Sequence, residues 1–497
     1  MDCSHTEERD VLTNVTLYDQ IRTRMSAVAH RAVGLRARFY IEVLVNSGLK
    51  VKQNKMAEHT QDKISFTFPT PGAQVEAITF HGWQAVRLSN DLIEAVIVPE
   101  IGGRIMVFNL GPYAYLWVNP ALAGRLFSSE ENQGNGTLAA WKNYGGSKTW
   151  PAPQGWETEN EWHGPPDPVL DTGRYVLDAT GQSEEAVYVQ VSSPTDPRTG
   201  VRITRKLTLR NSGARAALHL EMENTSNIPR CWGIWEVVQL DATRQTPKGE
   251  SHNDQAWMYT PSNPRSRFTD GYKVMFGAQD NPEWQTDHTH ALIAAQYRFQ
   301  VGKIGVDSQA GWVAFVNQEN NFVFCQRFRL FPDENYPDGG ATVEFWTTGL
   351  GEPVGGLDYT DNPLYHVEAE VVGPLRTMQP GERQKFDIEW CACRCPGPII
   401  AVSQIGCVHQ RLLVEERRGI LHLNGIYGVF EPGSVRLIWK NPENNELATE
   451  TIGLAHPLDV LQLNLVRKPP AGWKSVELVL IGAPETKGGF IDRYEVT

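Results

Sequence analysis

Ala186-Val-Tyr-Val-Gln-Val191, Pro194-Thr-Asp-Pro-Arg-Thr-Gly200 and Val201-Arg-Ile-Thr-Arg-Lys-Leu-Thr-Leu209 follow one another closely and set the fold class. In the first and third segments apolar residues fall at every second position, the period that gathers side chains on one face of a pleated strand. The Pro/Asp/Gly cluster between them cannot extend either strand and turns the chain. The same signature recurs outward in both directions. Ile64-Ser-Phe-Thr-Phe68, Gln84-Ala-Val-Arg-Leu88, Leu92-Ile-Glu-Ala-Val-Ile-Val98, Tyr175-Val-Leu177, Ala217-Leu-His-Leu-Glu-Met222 and Val343-Glu-Phe-Trp346 all read as strands. Pro332-Asp-Glu-Asn-Tyr-Pro-Asp-Gly-Gly340 is another turn cluster. Few segments keep a helical period. Residues 64–397 are therefore expected to form one large, mainly β, antiparallel sandwich.

Two flanking regions differ. Cys395-Pro-Gly-Pro398 marks a boundary, after which Ile399-Ile-Ala-Val402, Gly419-Ile-Leu-His-Leu423, Ser434-Val-Arg-Leu-Ile-Trp439 and Ser475-Val-Glu-Leu-Val-Leu-Ile481 predict a small β-sandwich over 398–497. Residues 1–60 read as an N-terminal extension, partly helical or disordered. Within Tyr18–Val45 the apolar residues Ile21, Met25, Val28, Ala32 and Leu35 recur at helical spacing. Residues 1–55 carry nine Lys/Arg against six Asp/Glu. They are either an appended helix or sequence upstream of a start at Met56.

The 497 residues exceed what one ordinary core accommodates, and 41% hydrophobic with 21% charged residues describe a folded globular chain. A net charge of −12 argues against nucleic acid and anionic membranes as partners. No apolar run is long enough to span a bilayer. Seven cysteines, an odd number over a long chain, are no disulfide framework, and reduced thiols in the cytoplasm are expected. Cys391-Ala-Cys-Arg-Cys395 has the softness of a metal site, but Phe386-Asp-Ile-Glu-Trp-Cys-Ala-Cys393 reads as a strand whose alternate cysteines share a face. Asp287-His-Thr-His290 lacks a third ligand and reads as a polar loop. No metal or cofactor is expected. Phosphate-cradling, dinucleotide-binding and nucleophile-elbow motifs are missing, which leaves kinase, dehydrogenase and α/β-hydrolase chemistry without support.

Chemistry concentrates in Asn143-Tyr-Gly-Gly-Ser-Lys-Thr-Trp-Pro-Ala-Pro-Gln-Gly-Trp156 and, just beyond it, Trp162-His-Gly-Pro-Pro-Asp-Pro168. Prolines stiffen this backbone, glycines let it bend or approach a ligand, and the tryptophans offer aromatic faces beside amides and charges. It reads as a rigid loop suited to a sugar, whose C–H faces stack on rings while its hydroxyls take hydrogen bonds. Trp150, Gln154 and Trp162 form the expected stacking wall, with Asn143, Lys148 and His163 as polar partners.

Four segments in order resemble the galactose-mutarotase-like superfamily, and within it an uncharacterised bacterial domain family. They are Val98-Pro-Glu-Ile-Gly-Gly-Arg-Ile105, the Asn143–Trp156 stretch, Glu223-Asn-Thr-Ser226 leading into Trp232-Gly-Ile-Trp-Glu-Val-Val-Gln-Leu240, and the late strands around Glu344 and Glu368. The resemblance covers about residues 75–395 and implies a two-sheet β-supersandwich. Mutarotases open and reclose a sugar ring with one carboxylate base and two histidines. By motif the base falls on Glu368, and Glu370 shares its strand face. The histidines have no counterpart, since Tyr144-Gly-Gly146 stands for His-Gly-Gly and Trp235-Glu236 for the second histidine. Tyrosine titrates near 10, so Tyr144 makes a poor acid at neutral pH unless cations such as Lys148 lower it.

The resemblance therefore implies an isomerase, epimerase or lyase acting on a sugar or polysaccharide without the usual mutarotase histidines. Glu368, Tyr144, Lys148 and Glu236 are its expected catalytic residues. Arg104, Asn143, Trp150, Gln154, Trp162, His163 and Glu370 are its expected substrate contacts. A non-catalytic carbohydrate-binding protein and an accessory protein reusing the fold are the alternatives, because fold does not fix function.

Overall fold

The computed structural model describes residues 72–353, 355–360, 363–482 and 488–496. The helix expected within Tyr18–Val45 and the strand expected at Ile64–Phe68 lie outside the described residues. The alternating segments form strands as anticipated, and they assemble into two large antiparallel sheets. The first sheet has twelve strands, ten of them in one path: β1 (Gln74–Phe80), β2 (Trp83–Ser89), β3 (Ile93–Val98), β4 (Arg104–Leu110), β5 (Ser147–Ala152), β6 (Arg230–Asp241), β7 (Lys273–Gly277), β8 (Gly302–Val306), β9 (Val343–Thr347) and β10 (His366–Val372). Their spatial order is β1-β2-β3-β4-β5-β6-β10-β9-β8-β7. The second sheet has ten strands, with Arg383–Arg394 and Arg215–Asn224 at its centre. The hairpin predicted from the opening stretch is real: Ala186–Ser192 pairs with Val201–Arg210 in register Val189↔Leu207.

Period-two alternation sorts the side chains of the first sheet. On β10, Val367, Ala369 and Val371 enter the apolar core, as do Val343 and Phe345 on β9 and Ile304 and Val306 on β8. Their neighbours His366, Glu368, Glu370, Glu344, Trp346 and Lys303 therefore project from the opposite face. An ion pair is among the polar links that cross the core. Arg205, from the second sheet, bonds Glu236 of β6 at 2.8 Å, the Ser147 carbonyl at 3.0 Å and the Gly103 carbonyl at 2.7 Å. The Ser147 and Thr149 hydroxyls also donate to Glu236.

The stretch expected to be a loop is in part a central strand. Residues Ser147–Ala152 form β5, which pairs fully with β6 from Ser147↔Val238 to Ala152↔Gly233 but meets β4 only at Ile105↔Ser147. Beyond Ser147 one edge is free, so the missing N–H of Pro151 removes no ladder bond. Gly145 and Gly146 bring the chain in at φ 93° and 71°, and a Cβ on Gly145 would sit 2.2 Å from the Trp117 carbonyl oxygen.

Beyond the large sheets, two four-stranded sheets enclose a separate core that includes Leu423, Tyr427, Leu437, Trp439 and Leu478. Cys325, Cys391, Cys393, Cys395 and Cys407 pack with Ile399 and Phe430 where the second large sheet meets them. The six described cysteines are free thiols. Among the described residues no helix is long and apolar enough to cross a membrane.

Breaking the ion pair that joins the two large sheets leaves a buried carboxylate without its cation. Arg205→Met is expected to cost about 3–5 kcal/mol in urea unfolding. Adding Glu236→Gln should recover more than about 1 kcal/mol of that loss, because no buried charge is then left uncompensated. Additive losses would contradict the pairing.

Candidate functional site

On its outer face the first sheet carries a line of polar and aromatic residues contributed by six adjacent strands. Register aligns Gln239 of β6 with Glu368 of β10, Glu368 with Trp346 of β9, Trp346 with Lys303 of β8, and Lys303 with Phe276 of β7. Trp150 of β5 aligns with Trp235 of β6. A cavity of about 250 Å³ lies over this line. Its base includes Glu368, His366, Lys303 and Trp346, and its walls include Trp141, Trp150, Trp235, Tyr359 and Phe276. Gln154 and Trp156 also line it.

Glu368 is the anchored carboxylate. Its Oε1 accepts from Lys148 Nζ at 2.9 Å and from Gln239 Nε2 at 2.7 Å. No protein hydrogen bond among the described residues reaches Oε2, the oxygen left to face the cavity. Burial raises this carboxyl, but the Lys148 ammonium and its hydrogen bond, together with other nearby groups including Lys303, hold Glu368 below the ordinary carboxylate range. Conversely, burial pushes Lys148 down to about 8 against the pull of Glu368. Lys148 lies one layer beneath the cavity, its Nζ 5.1 Å from the Trp150 ring centroid and 5.5 Å from that of Trp141.

Asp171 fixes both of those indoles. Its Oδ1 accepts from Trp150 Nε1 at 3.2 Å and its Oδ2 from Trp141 Nε1 at 2.6 Å. Arg104, fully buried, pairs with Asp171 and donates to the Gly145 carbonyl at 3.0 Å. Trp162 stacks against Trp150 at 4.7 Å and donates to Asp167 at 2.8 Å. Arg104 and Trp162 thus act on the cavity through the walls they brace.

Lys303 forms a second charged centre. Its Nζ lies 2.7 Å from Glu344, 3.0 Å from Glu370 and 4.3 Å from the Trp235 ring centroid. Burial lowers it, yet the two carboxylates prevail and hold Lys303 above its ordinary value, so it is a permanent cation. Glu370, which also accepts from Trp235 Nε1 at 2.7 Å, is pushed well up by burial and by the like charges of Glu344 and Glu368. His366 stacks on Trp117 at 4.3 Å and meets Gln239 Nε2 at 3.1 Å through its Nε2. Burial lowers it to about 3, so it stays neutral.

Of the residues expected from sequence, Glu368, Trp150 and Gln154 line the cavity, with Lys148 and Glu370 directly behind it. The others sit elsewhere. Tyr144 is buried in a separate apolar cluster, 5.8 Å from Trp83, and burial raises it to about 12. Glu236 faces the opposite side of β6, toward Arg205. Asn143 caps its own loop, its Oδ1 accepting from Gly145 N at 3.3 Å. His163 is exposed and bonds the Thr158 carbonyl at 2.9 Å. Lys303, Trp346, His366, Gln239 and Asp171 were not singled out by sequence; their strand alternation is visible, but their convergence depends on pairing between distant strands.

No curated protein matches the chain. Solved structures that resemble it do so at low identity, and three illustrate this. A TPR-domain containing protein from Parabacteroides distasonis is 12% identical at a TM-score of 0.39, covering 65% of this chain and 49% of its own, so the chain spans about half its length. A galactose mutarotase-like protein from Clostridium acetobutylicum is 10% identical at a TM-score of 0.39, covering 65% and 98%. A galactose mutarotase related enzyme from Lactobacillus acidophilus is 12% identical at a TM-score of 0.38, covering 62% and 97%. Residues 83–392 match the family model described as a domain of unknown function, DUF4380, and the chain belongs to that family.

Proposed function

We propose that the cavity binds a sugar ring and that Glu368 is the general base of an isomerase- or lyase-type reaction on it. The observation that carries this reading is the placement of Glu368: a carboxyl that lines an aromatic cavity and is held through one oxygen by Lys148 and Gln239. A sugar ring stacked on Trp346 would lie between Glu368 and Lys303, whose strands are two spacings, roughly 10 Å, apart. Glu368 would then take a proton from a hydroxyl or from an activated C–H. Lys303, which keeps its own proton, would stabilise the negative charge left on oxygen. Lys148 sets the base rather than touching the sugar. Binding without turnover is the second reading, and one observation favours it: among the described cavity-lining residues none is placed to titrate near neutrality as an acid.

A panel of neutral and uronic sugars, read by thermal shift and by NMR of anomeric exchange and unsaturated products, tests the proposal. With a turned-over sugar in hand, Glu368→Gln should lower turnover at least about 100-fold and leave binding nearly unchanged. Undiminished turnover would remove Glu368 as the base. A panel without any hit would remove the carbohydrate reading.

The pH dependence follows from the Lys148 charge. The folded-state pKa of Glu368 is depressed, so the base is ionised throughout neutral and mildly acidic pH, and turnover should stay flat from about pH 5 to 8. Lys148→Met removes the largest charge opposing burial, so an acid limb should appear inside this range. Lys148→Arg should keep the flat profile. An unchanged profile in Lys148→Met would show that the ammonium does not set the base.

A further inference from the structure

Trp156 stands apart from the other aromatic residues of the cavity. Trp150 and Trp235 are buried and Trp141 and Trp346 half-buried, whereas Trp156 is 52% exposed although it lines the same space. Its indole makes no hydrogen bond and no ring contact with the described residues. The backbone beneath it is nonetheless held on every side. Gly155 N donates to the Trp162 carbonyl at 3.1 Å, and the Glu157 and Thr158 amides donate to Glu161 Oε2 at 2.8 and 3.0 Å. Gln154 Nε2 donates to the Gly164 carbonyl at 2.7 Å. A Cβ on Gly155 would lie 2.5 Å from the Glu161 carboxyl carbon, so a larger residue there would displace the carboxylate that holds the turn. The chain thus fixes an unpartnered indole at the cavity mouth.

The enclosed space sets how much ligand lies inside. A cavity of about 250 Å³ falls below the roughly 300–1,000 Å³ of pockets that enclose drug-sized molecules, and it suits one ring. We propose that the ligand is longer than one sugar unit: one ring enters the cavity over Trp346, and the next ring stacks outside on Trp156. This rests on the carbohydrate reading of the cavity and narrows it from free monosaccharides to oligosaccharides. Both platforms act by covering the C–H face of a ring, so the outer one adds affinity while asking little of the hydroxyl pattern.

The test is calorimetric titration of the full chain with matched neutral pairs: glucose and cellobiose, galactose and β-1,4-galactobiose, mannose and β-1,4-mannobiose, xylose and xylobiose. In at least one pair the disaccharide should bind about tenfold tighter than its monosaccharide. Trp156→Ala should abolish that difference, with the larger loss, about tenfold, falling on the disaccharide. As an exposed substitution it should leave the melting temperature of the free protein unchanged, which verifies the fold. Equal affinity for both lengths, or an equal loss for both in Trp156→Ala, overturns the outer subsite while leaving the inner one standing. Absence of binding by every sugar overturns the carbohydrate reading, and the outer subsite with it.

Discussion

The buried Lys148–Glu368 pair is the constraint around which the cavity is organised. A carboxylate and an ammonium that have both lost most of their water are tolerable only when each satisfies the other and their remaining bonds are made. The surrounding chain does this in layers. Gln239 gives Glu368 its second donor. The faces of Trp141 and Trp150 flank the ammonium, Asp171 holds both indoles, and Arg104 holds Asp171. Arg104 follows the Gly102-Gly103 turn at the start of β4, so a short motif early in the chain reaches Glu368 through four successive contacts.

A second consequence is a division of labour between two lysines on the same sheet. Lys148 has one carboxylate partner and is lowered by burial, whereas Lys303 has two and is raised by them. The first therefore tunes its neighbour, and the second is a fixed charge. Trp346 lies between Glu368 and Lys303 in the strand register, so a flat apolar surface separates the carboxylate from the ammonium. That spacing, rather than any single residue, is what a ring-shaped polyhydroxylated ligand would exploit.

Much of this was legible in the sequence, and the gaps have physical causes. Alternation over Ala186–Leu209 gave the antiparallel pairing, because a half-buried strand leaves a local imprint. The motif singled out Glu368, which lines the cavity. The segment 143–156 was misjudged because prolines normally exclude a central strand, and only the one-sided pairing of β5 makes Pro151 harmless there. Tyr144 and Glu236 were expected in the site from the resemblance, yet one is sealed in a neighbouring apolar cluster and the other points at Arg205. Position in a motif does not determine which side of a sheet a residue faces. Lys303, Trp346 and His366 meet only because β8, β9 and β10 pair, and such long-range pairing leaves no local signature.

A crystal structure with a bound saccharide tests the central claim most directly. The account predicts one sugar ring lying flat on the Trp346 indole, with Glu368 Oε2 within about 3.2 Å of a ring hydroxyl or the abstracted hydrogen's carbon, and Lys303 on the ring's far side. A sugar bound elsewhere on the protein, or one in this cavity contacting only the aromatic walls with Glu368 Oε2 left out of reach, would contradict it.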